Sequence, residues 1–427
     1  MTAQLDPVQS DPAQRDPTQP DPVQTDPTHQ DPVQSDPALH PLRLRVLGTS
    51  VALRFEGGLT PAHAETLRRA WSRCVETDDG AAAPERVAEP ELGPPGGPFR
   101  ATLASGRGTR IVEARTFGHF AADLTSAVTL AAIEARAGEA MMLHASALAD
   151  PASGRAVALV GRSGMGKTTA TRALAGRLGY VTDETVAVEP SGVIAPYPKP
   201  LSIITGDAAV PKSQVGPDEL GLRPAPAQAR LAAVVLLDRN SEASRPRVTP
   251  LGHAEAIIAL APQTSALTRA RQPLAWLCAL LDACGGAVRI TYREAHELPE
   301  LVEGLLERGP IVARWAPAGS DSGKATDDGA ARPGARLHRA RVVDAVEIFA
   351  DDDHGTELVA LVGASVVRLS GVAPAIWRAL ETPACVEQLA GRLADDIPLP
   401  ADYEARLREA VTELERHSLL SWAVTSH

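Results

Sequence analysis

Gly161-Arg-Ser-Gly-Met-Gly-Lys-Thr168 matches G-x-x-x-x-G-K-[ST] at every fixed position. Physical chemistry explains the composition. Glycines let backbone N–H groups turn inward around phosphate oxygens, and the helix that follows presents its positive N-terminal end to them. Such a loop needs a strand before it and a helix after it. Ala156–Val160 reads as that strand and Thr169–Leu178 as that helix. The pattern therefore implies ATP, cradled by Gly161, Ser163, Gly164, Met165, Gly166, Lys167, Thr168 and Thr169. In this arrangement Lys167 reaches the β- and γ-phosphates and the Thr168 hydroxyl holds Mg²⁺.

Further apolar runs at Val186–Val188, Leu231–Leu237 and Val288–Thr291 alternate with helical stretches, so residues 141–315 read as an α/β core. Residues 41–140 read as a small α+β subdomain ahead of it. Leu42–Gly48 and Ser50–Gly57 suggest strands, and a helix opens at Thr60-Pro61 with Leu67, Ala70, Trp71 and Cys74 on one side. Residues 78–98 form a Gly/Pro/Ala-rich loop. Strands near Arg100–Leu103 and Arg110–Phe117 and a long helix over His119–Ala137 complete the unit. Residues 1–40 repeat an Asp-Pro pentad, in which proline stiffens the chain and no apolar face recurs. They are expected to be a disordered acidic tail that serves as a passive spacer. Residues 316–335 hold almost no large apolar side chain and read as a linker, which predicts separable units on either side. The last unit, 336–427, begins with strands near Val342–Phe349, Glu357–Val362 and Val366–Leu369. Helices near Pro374–Leu380, Val386–Ala394 and Ala401–His417 follow.

The net charge of −11 offers no basic surplus for a general nucleic-acid binder. Seven Asp against Arg15 put −6 on the first forty residues, which leaves the folded part nearly balanced. Cys74, Cys278, Cys284 and Cys385 form no C-x-x-C pair and have no His at ligand spacing, so they are expected to be small buried hydrophobes. No run of about 18 apolar residues suggests a membrane span. No signal-peptide pattern opens the chain, and a cytoplasmic location is expected.

Two acidic sites compete for the chemistry beside the P-loop. Val234-Val-Leu-Leu-Asp238 has the form of a strand that ends in a Mg²⁺-ordering Asp. Asp183-Glu184 stands sixteen residues after Lys167, behind the strand-like Tyr180-Val-Thr182. One of its carboxylates is able to deprotonate an incoming hydroxyl while the other helps hold the metal. A solvated turn is the plainer alternative for this pair.

His144-Ala-Ser-Ala147, the P-loop and Leu178-Gly-Tyr-Val-Thr-Asp-Glu184 together resemble the HPr serine kinase/phosphorylase family over residues 141–206. The resemblance implies an HPr-kinase-like fold with Asp183 as general base toward a serine hydroxyl. It also implies Glu184 as a Mg²⁺ support in place of a second Asp, and His144 close to the phosphates. Taken alone, His144 reads rather as a hydrogen-bonded structural histidine. The family's signature for docking HPr is not recognisable after residue 190, where Pro196-Tyr-Pro-Lys199-Pro-Leu-Ser202 stands instead. That segment resembles a loop of HPr-kinase-like proteins from peptide-modification gene sets, with Lys199 near the phosphates. A proline-rich surface turn is the alternative.

Val366-Val-Arg-Leu-Ser-Gly371, Ala375-Ile-Trp-Arg-Ala-Leu380, Val386-Glu-Gln-Leu389 and Glu413–Leu420 resemble the PqqD-like family, the recognition element for ribosomally made peptides. The resemblance implies a winged-helix-like domain over 336–424 that binds a precursor's leader peptide as an added strand on an exposed sheet edge. A winged helix for dimerisation or DNA is the alternative. Glu404, Glu409, Glu413 and Glu415 against three Arg over 401–417 disfavour DNA, while homo-oligomerisation stays open. A kinase of a ribosomal peptide precursor, a peptide-binding chaperone and a P-loop ATPase using Asp238 are the functions in play.

Overall fold

The computed structural model describes residues 6–7, 41–76, 97–162, 165–203, 212–319, 335–349, 355–396 and 402–424. Most of the Asp-Pro tail, Ser163, Gly164 and residues 320–334 of the expected linker lie outside the described residues.

The N-terminal unit is a four-stranded antiparallel sheet, β1 (Leu42–Val46), β2 (Thr49–Gly57), β3 (Phe99–Ser105) and β4 (Gly108–Ala114), in sequential order. Leu42, Leu44 and Val46 point inward while Arg43 and Arg45 face out, the period-two alternation of a sheet with one buried face. α1 (Pro61–Ala70) begins where expected. Thr60 accepts from the His63 amide at 3.3 Å, the His63 ring accepts from the Thr60 amide, and Pro61 occupies the first turn, where its missing N–H costs nothing. α2 (Phe117–Arg136) lays Phe120, Leu124 and Val128 onto the sheet. The unit is not a free-standing appendage, because its apolar cluster continues through Met142, Ala187 and Ala195 of the next sheet and through Tyr197, just beyond it.

That next sheet is the core. Its strands are β5 (Met141–Ala149), β6 (Arg155–Val160), β7 (Gly179–Thr182), β8 (Thr185–Val188) and β9 (Val193–Ala195). A two-stranded ribbon, β10 (Leu201–Ile203) with β11 (Ser213–Val215), leads to β12 (Ala229–Arg239), β13 (Arg247–Pro250) and β14 (Ala287–Tyr292). The order is β9-β8-β5-β6-β12-β14-β13, with β6, β12 and β14 parallel and the flanks antiparallel. Parallel central strands are covered on both faces, which accounts for the nearly unbroken burial of β6 and β12. α3 (Lys167–Leu174) follows β6 and is shorter than the sequence suggested; its last turn gives way at Ala175. α4 (His253–Leu260), α5 (Pro273–Ala283) and α6 (Leu298–Leu306) cover the sheet.

The C-terminal unit follows the expected order, and its three expected strands and three expected helices lie near the expected bounds. Its strands and helices are β15 (Trp315–Pro317), β16 (Ala335–Arg339), β17 (Asp344–Phe349), β18 (Thr356–Val362), β19 (Ser365–Leu369), α7 (Ala373–Ala379), α8 (Val386–Asp396), α9 (Tyr403–Arg416) and β20 (Leu420–Val424). β16 pairs with β20, and β15-β17-β18-β19 form an antiparallel sheet. Both ends of the expected linker belong to strands: Ala316 and Pro317 to β15, Ala335 to β16.

The sheet is also not separate from the core. Ala345, Leu358, Ala360, Val367 and Leu369 face the helices of their own unit, while Val346, Ile348, Val359, Leu361 and Val366 share one apolar cluster with α4 and α5. Asp344 pins the contact. It is 2% exposed, and its Oδ2 accepts from the Leu274 and Ala275 amides at 2.7 and 3.1 Å, satisfying donors left open by the first turn of α5. Asp282, near the other end of α5, accepts from Trp315 Nε1 at 2.7 Å and from the His253 ring at 2.8 Å. The two units are therefore joined by packing as well as by residues 316–335. The outer edge of β19 is not bare either: Asp6 and Pro7 pair with it antiparallel, opposite Arg368 and Val367, so this part of the tail does more than space.

Among the described residues no helix is long and apolar enough to cross a membrane. Cys74, Cys278 and Cys284 are buried, as expected, and burial raises their thiol pKa values, to about 12 for Cys74 and Cys284. Cys385 is only half-buried, because it stands at the turn into α8.

Candidate active site

β6 ends at Val160, and the chain turns through Gly161 and Arg162 before Gly166 opens α3 with φ +85°, a left-handed value that favours glycine. Lys167, half-buried in the first turn, folds back across the loop and donates to the Gly161 carbonyl at 2.5 Å. Burial lowers its pKa, and the carboxylates of Asp183 and Glu184 oppose that shift. Thr168 is half-buried beside it, and Thr169 faces solvent.

β6 has a neighbour on each side, and each brings one of the competing acids. On one side is β12, in parallel register with Val160 opposite Leu236, so Asp238 stands level with the start of the loop. Asp238 accepts from Thr291 Oγ1 at 2.9 Å. It lines a cleft of 610 Å³ together with Gly161, Arg162, Met165, Gln263 and Arg289.

On the other side is β5, along which β7 and β8 run as two pieces of one antiparallel path. The path breaks at Asp183-Glu184. The break is held from β5, where the Ala145 amide donates to the Glu184 carbonyl at 3.1 Å and Ser146 Oγ to the Asp183 carbonyl at 3.4 Å. Backbone groups that a kink would orphan are thus satisfied, and the solvated-turn alternative fails for Asp183, whose side chain is 6% exposed. Glu184 is 36% exposed. His144, on β5 opposite Thr185, reaches the surface over the same spot. Surrounding protein and then the Lys167 ammonium lower its pKa, with Glu184 and Asp183 opposing, which favours the neutral imidazole.

The residue that binds this group together is Lys199. Its ammonium lies 3.0 Å from Asp183 Oδ1, 3.1 Å from Glu184 Oε2 and 3.0 Å from the Pro200 carbonyl. Its pKa rises beyond the ordinary lysine value; burial alone would lower it, and Asp183 and Glu184 more than offset that. The proline-rich surface turn is therefore excluded, since Lys199 is 2% exposed. Tyr180 adds a hydrogen bond from its hydroxyl to Asp183 Oδ1 at 3.0 Å.

No family model matches the chain. No curated protein matches it. Among solved structures, the chain is similar to the HPr(Ser) kinase/phosphatase from Coxiella burnetii, at 17% identity over 39% of this chain and 93% of that chain, with a TM-score of 0.20.

His144, Asp183 and Glu184 gather along β5, and Lys167 opens the helix that follows β6, the adjacent strand, whereas Asp238 lies across β6 from the acidic pair. The side chains that could hold a divalent cation are the half-buried Thr168 hydroxyl and the Glu184 carboxylate, which is 36% exposed and already reaches Lys199 through Oε2. Among the described residues no group of three His, Cys, Asp or Glu forms a self-contained cage. Tyr180 had no assigned role in the sequence, although it sits inside the quoted motif. A lysine placed between two prolines in an otherwise apolar run, Pro196–Leu201, was the signal for the buried cation.

Proposed function

We propose that the protein is an ATP-dependent kinase that transfers the γ-phosphate to a hydroxyl, in the first instance of serine, on a ribosomally made peptide precursor such as a lasso-type one. The observation that carries this is the placement of the Asp183-Glu184 break, with Asp183 buried against Lys199, along β5, the strand beside the one that leads into the P-loop. A carboxylate at the P-loop, shielded from bulk water, is what a hydroxyl acceptor requires.

Lys167 pairs with the β- and γ-phosphates, and the backbone N–H groups of the loop orient them. Asp183 accepts the acceptor's proton through Oδ2, because Oδ1 is taken by Lys199 and Tyr180. The acceptor oxygen then bonds to the γ-phosphorus as the bridging bond to ADP breaks. Mg²⁺ would neutralise charge on the phosphate oxygens. His144, in its neutral form, would hydrogen-bond a phosphate or the acceptor rather than add a charge.

Residues 336–424 capture the leader in this proposal. Support comes from a β-meander followed by three helices, and from the β19 edge, which already takes an extended segment, Asp6–Pro7. The leader would displace that segment and gain in local concentration what a free substrate lacks. The P-loop ATPase reading has one observation in its favour, the position of Asp238 beside Gly161 and its cleft. Incubation of the full chain with γ-labelled ATP and a precursor peptide tests the proposal. Label on the peptide supports the kinase, and release of free phosphate with no labelled peptide supports the ATPase.

A further inference from the structure

The N-terminal subdomain has no part in the chemistry above, yet it touches the segment that carries Lys199. Tyr197, two residues before it, is fully buried, with its hydroxyl 2.6 Å from Thr129 Oγ1 of α2 and its ring 6.4 Å from Trp71. Pro198 and Pro200 stiffen the backbone on either side of the lysine. The Tyr197 amide also donates to the Val181 carbonyl at 3.3 Å, which ties the segment to β7 just before the acidic pair.

All three ammonium donors of Lys199 are spent on Asp183, Glu184 and Pro200. It therefore has no donor left for a phosphate while this arrangement holds. Its effect falls on the carboxylates: two neighbouring anions that would repel are held as a unit of net charge −1. Its contact with Asp183 also fixes which oxygen is engaged.

We infer that Lys199 is a positioning residue for phosphoryl transfer, and that the N-terminal subdomain serves as the brace that holds it against Asp183 and Glu184. This rests on the assignment of Asp183 as the base. A cation that only filled space would be replaceable by an apolar side chain of similar length once the protein folded. A positioning cation would not, because the acids would separate.

The test compares K199M, K199R and D183N for nucleotide affinity, kcat and KM of peptide phosphorylation in the full chain. K199M is expected to bind ATP within about threefold of wild type while kcat falls about 10²-fold, a typical loss when a general base is misplaced. K199R keeps the charge and is expected to recover about tenfold of that loss. In the brace, Y197F removes the hydroxyl bonded to Thr129 and is expected to lower kcat severalfold with KM for ATP unchanged. The charge-balanced K199M/E184Q is made alongside, in case the buried Asp183, left unpaired next to the partly exposed Glu184, costs the single variant its fold. Measured against E184Q, it should transfer about tenfold more slowly. Wild-type kcat in K199M, or equal rates for K199M/E184Q and E184Q, overturns the positioning role. D183N at wild-type rate instead overturns the base assignment beneath it.

Discussion

Asp344→Ala removes the pin between the C-terminal sheet and α5. Across the contact two backbone amides, Leu274 and Ala275, lose their acceptor in a site that is 2% exposed, and within β17 the Ala345 amide loses Oδ1. A buried donor left unsatisfied costs about 1–3 kcal/mol, so the two together cost about 2–6. Part is recovered, because the buried carboxylate was itself penalised, and a net loss of about 2–4 kcal/mol is expected at neutral pH. Burial raises the Asp344 pKa, with the three amide bonds opposing. Folding therefore favours the protonated acid. Its stabilisation is complete below the ordinary carboxyl value of 3.8 and declines as pH rises through the raised folded value. The gap between wild type and variant should be wider in acid than at neutrality. Urea unfolding followed by tryptophan fluorescence reads this out, since Trp315 lies at the same contact. A slope of roughly 2–3 kcal/mol per molar urea converts the loss into a midpoint about 1 M lower. An unchanged midpoint refutes the account of a docked sheet.

Lys167→Ala removes the phosphate-facing ammonium and should abolish measurable turnover in a folded protein; ATP titration and a phosphorylation assay check it together. For His144 the folded pKa is lowered, so the unfolded chain binds the extra proton just below pH 6.5 and stability falls with falling pH across that window. H144A should lose that slope in urea midpoints measured from pH 7.5 down to 5.5. Deleting residues 1–40 frees the β19 edge, so leader-peptide affinity should rise severalfold by fluorescence anisotropy. Unchanged affinity would show that the tail does not compete for that edge.

Parts of the fold were legible because local signals agreed with tertiary placement. Ala156–Val160 is an unbroken apolar run ahead of a glycine loop, and it forms the central strand. Leu407, Ala410, Val411 and Leu414 repeat at helical spacing, and they are the buried stripe of α9. β15 was illegible, since three residues carry no period and its partner lies thirty residues downstream. The docking of the C-terminal sheet left a trace in the sequence: Leu358-Val-Ala-Leu361 is continuously apolar, the pattern of a strand covered on both faces. At the site, Asp183 and Glu184 were nameable but their burial was not. Only the meeting of β5, the β7–β8 break and Lys199 distinguishes a buried acid from a solvated turn.

The most direct measurement sets Asp183→Asn against Asp238→Asn in single-turnover phosphorylation of the precursor peptide with γ-labelled ATP. The account predicts that D183N binds ATP but transfers about 10²–10⁴-fold more slowly, the loss expected of a missing general base. D238N, which gives up only the Thr291 contact on the far side of β6, should stay within about tenfold of wild type. The opposite ranking, with D183N near wild type and D238N inactive, would contradict the kinase site and leave an ATPase built on β12.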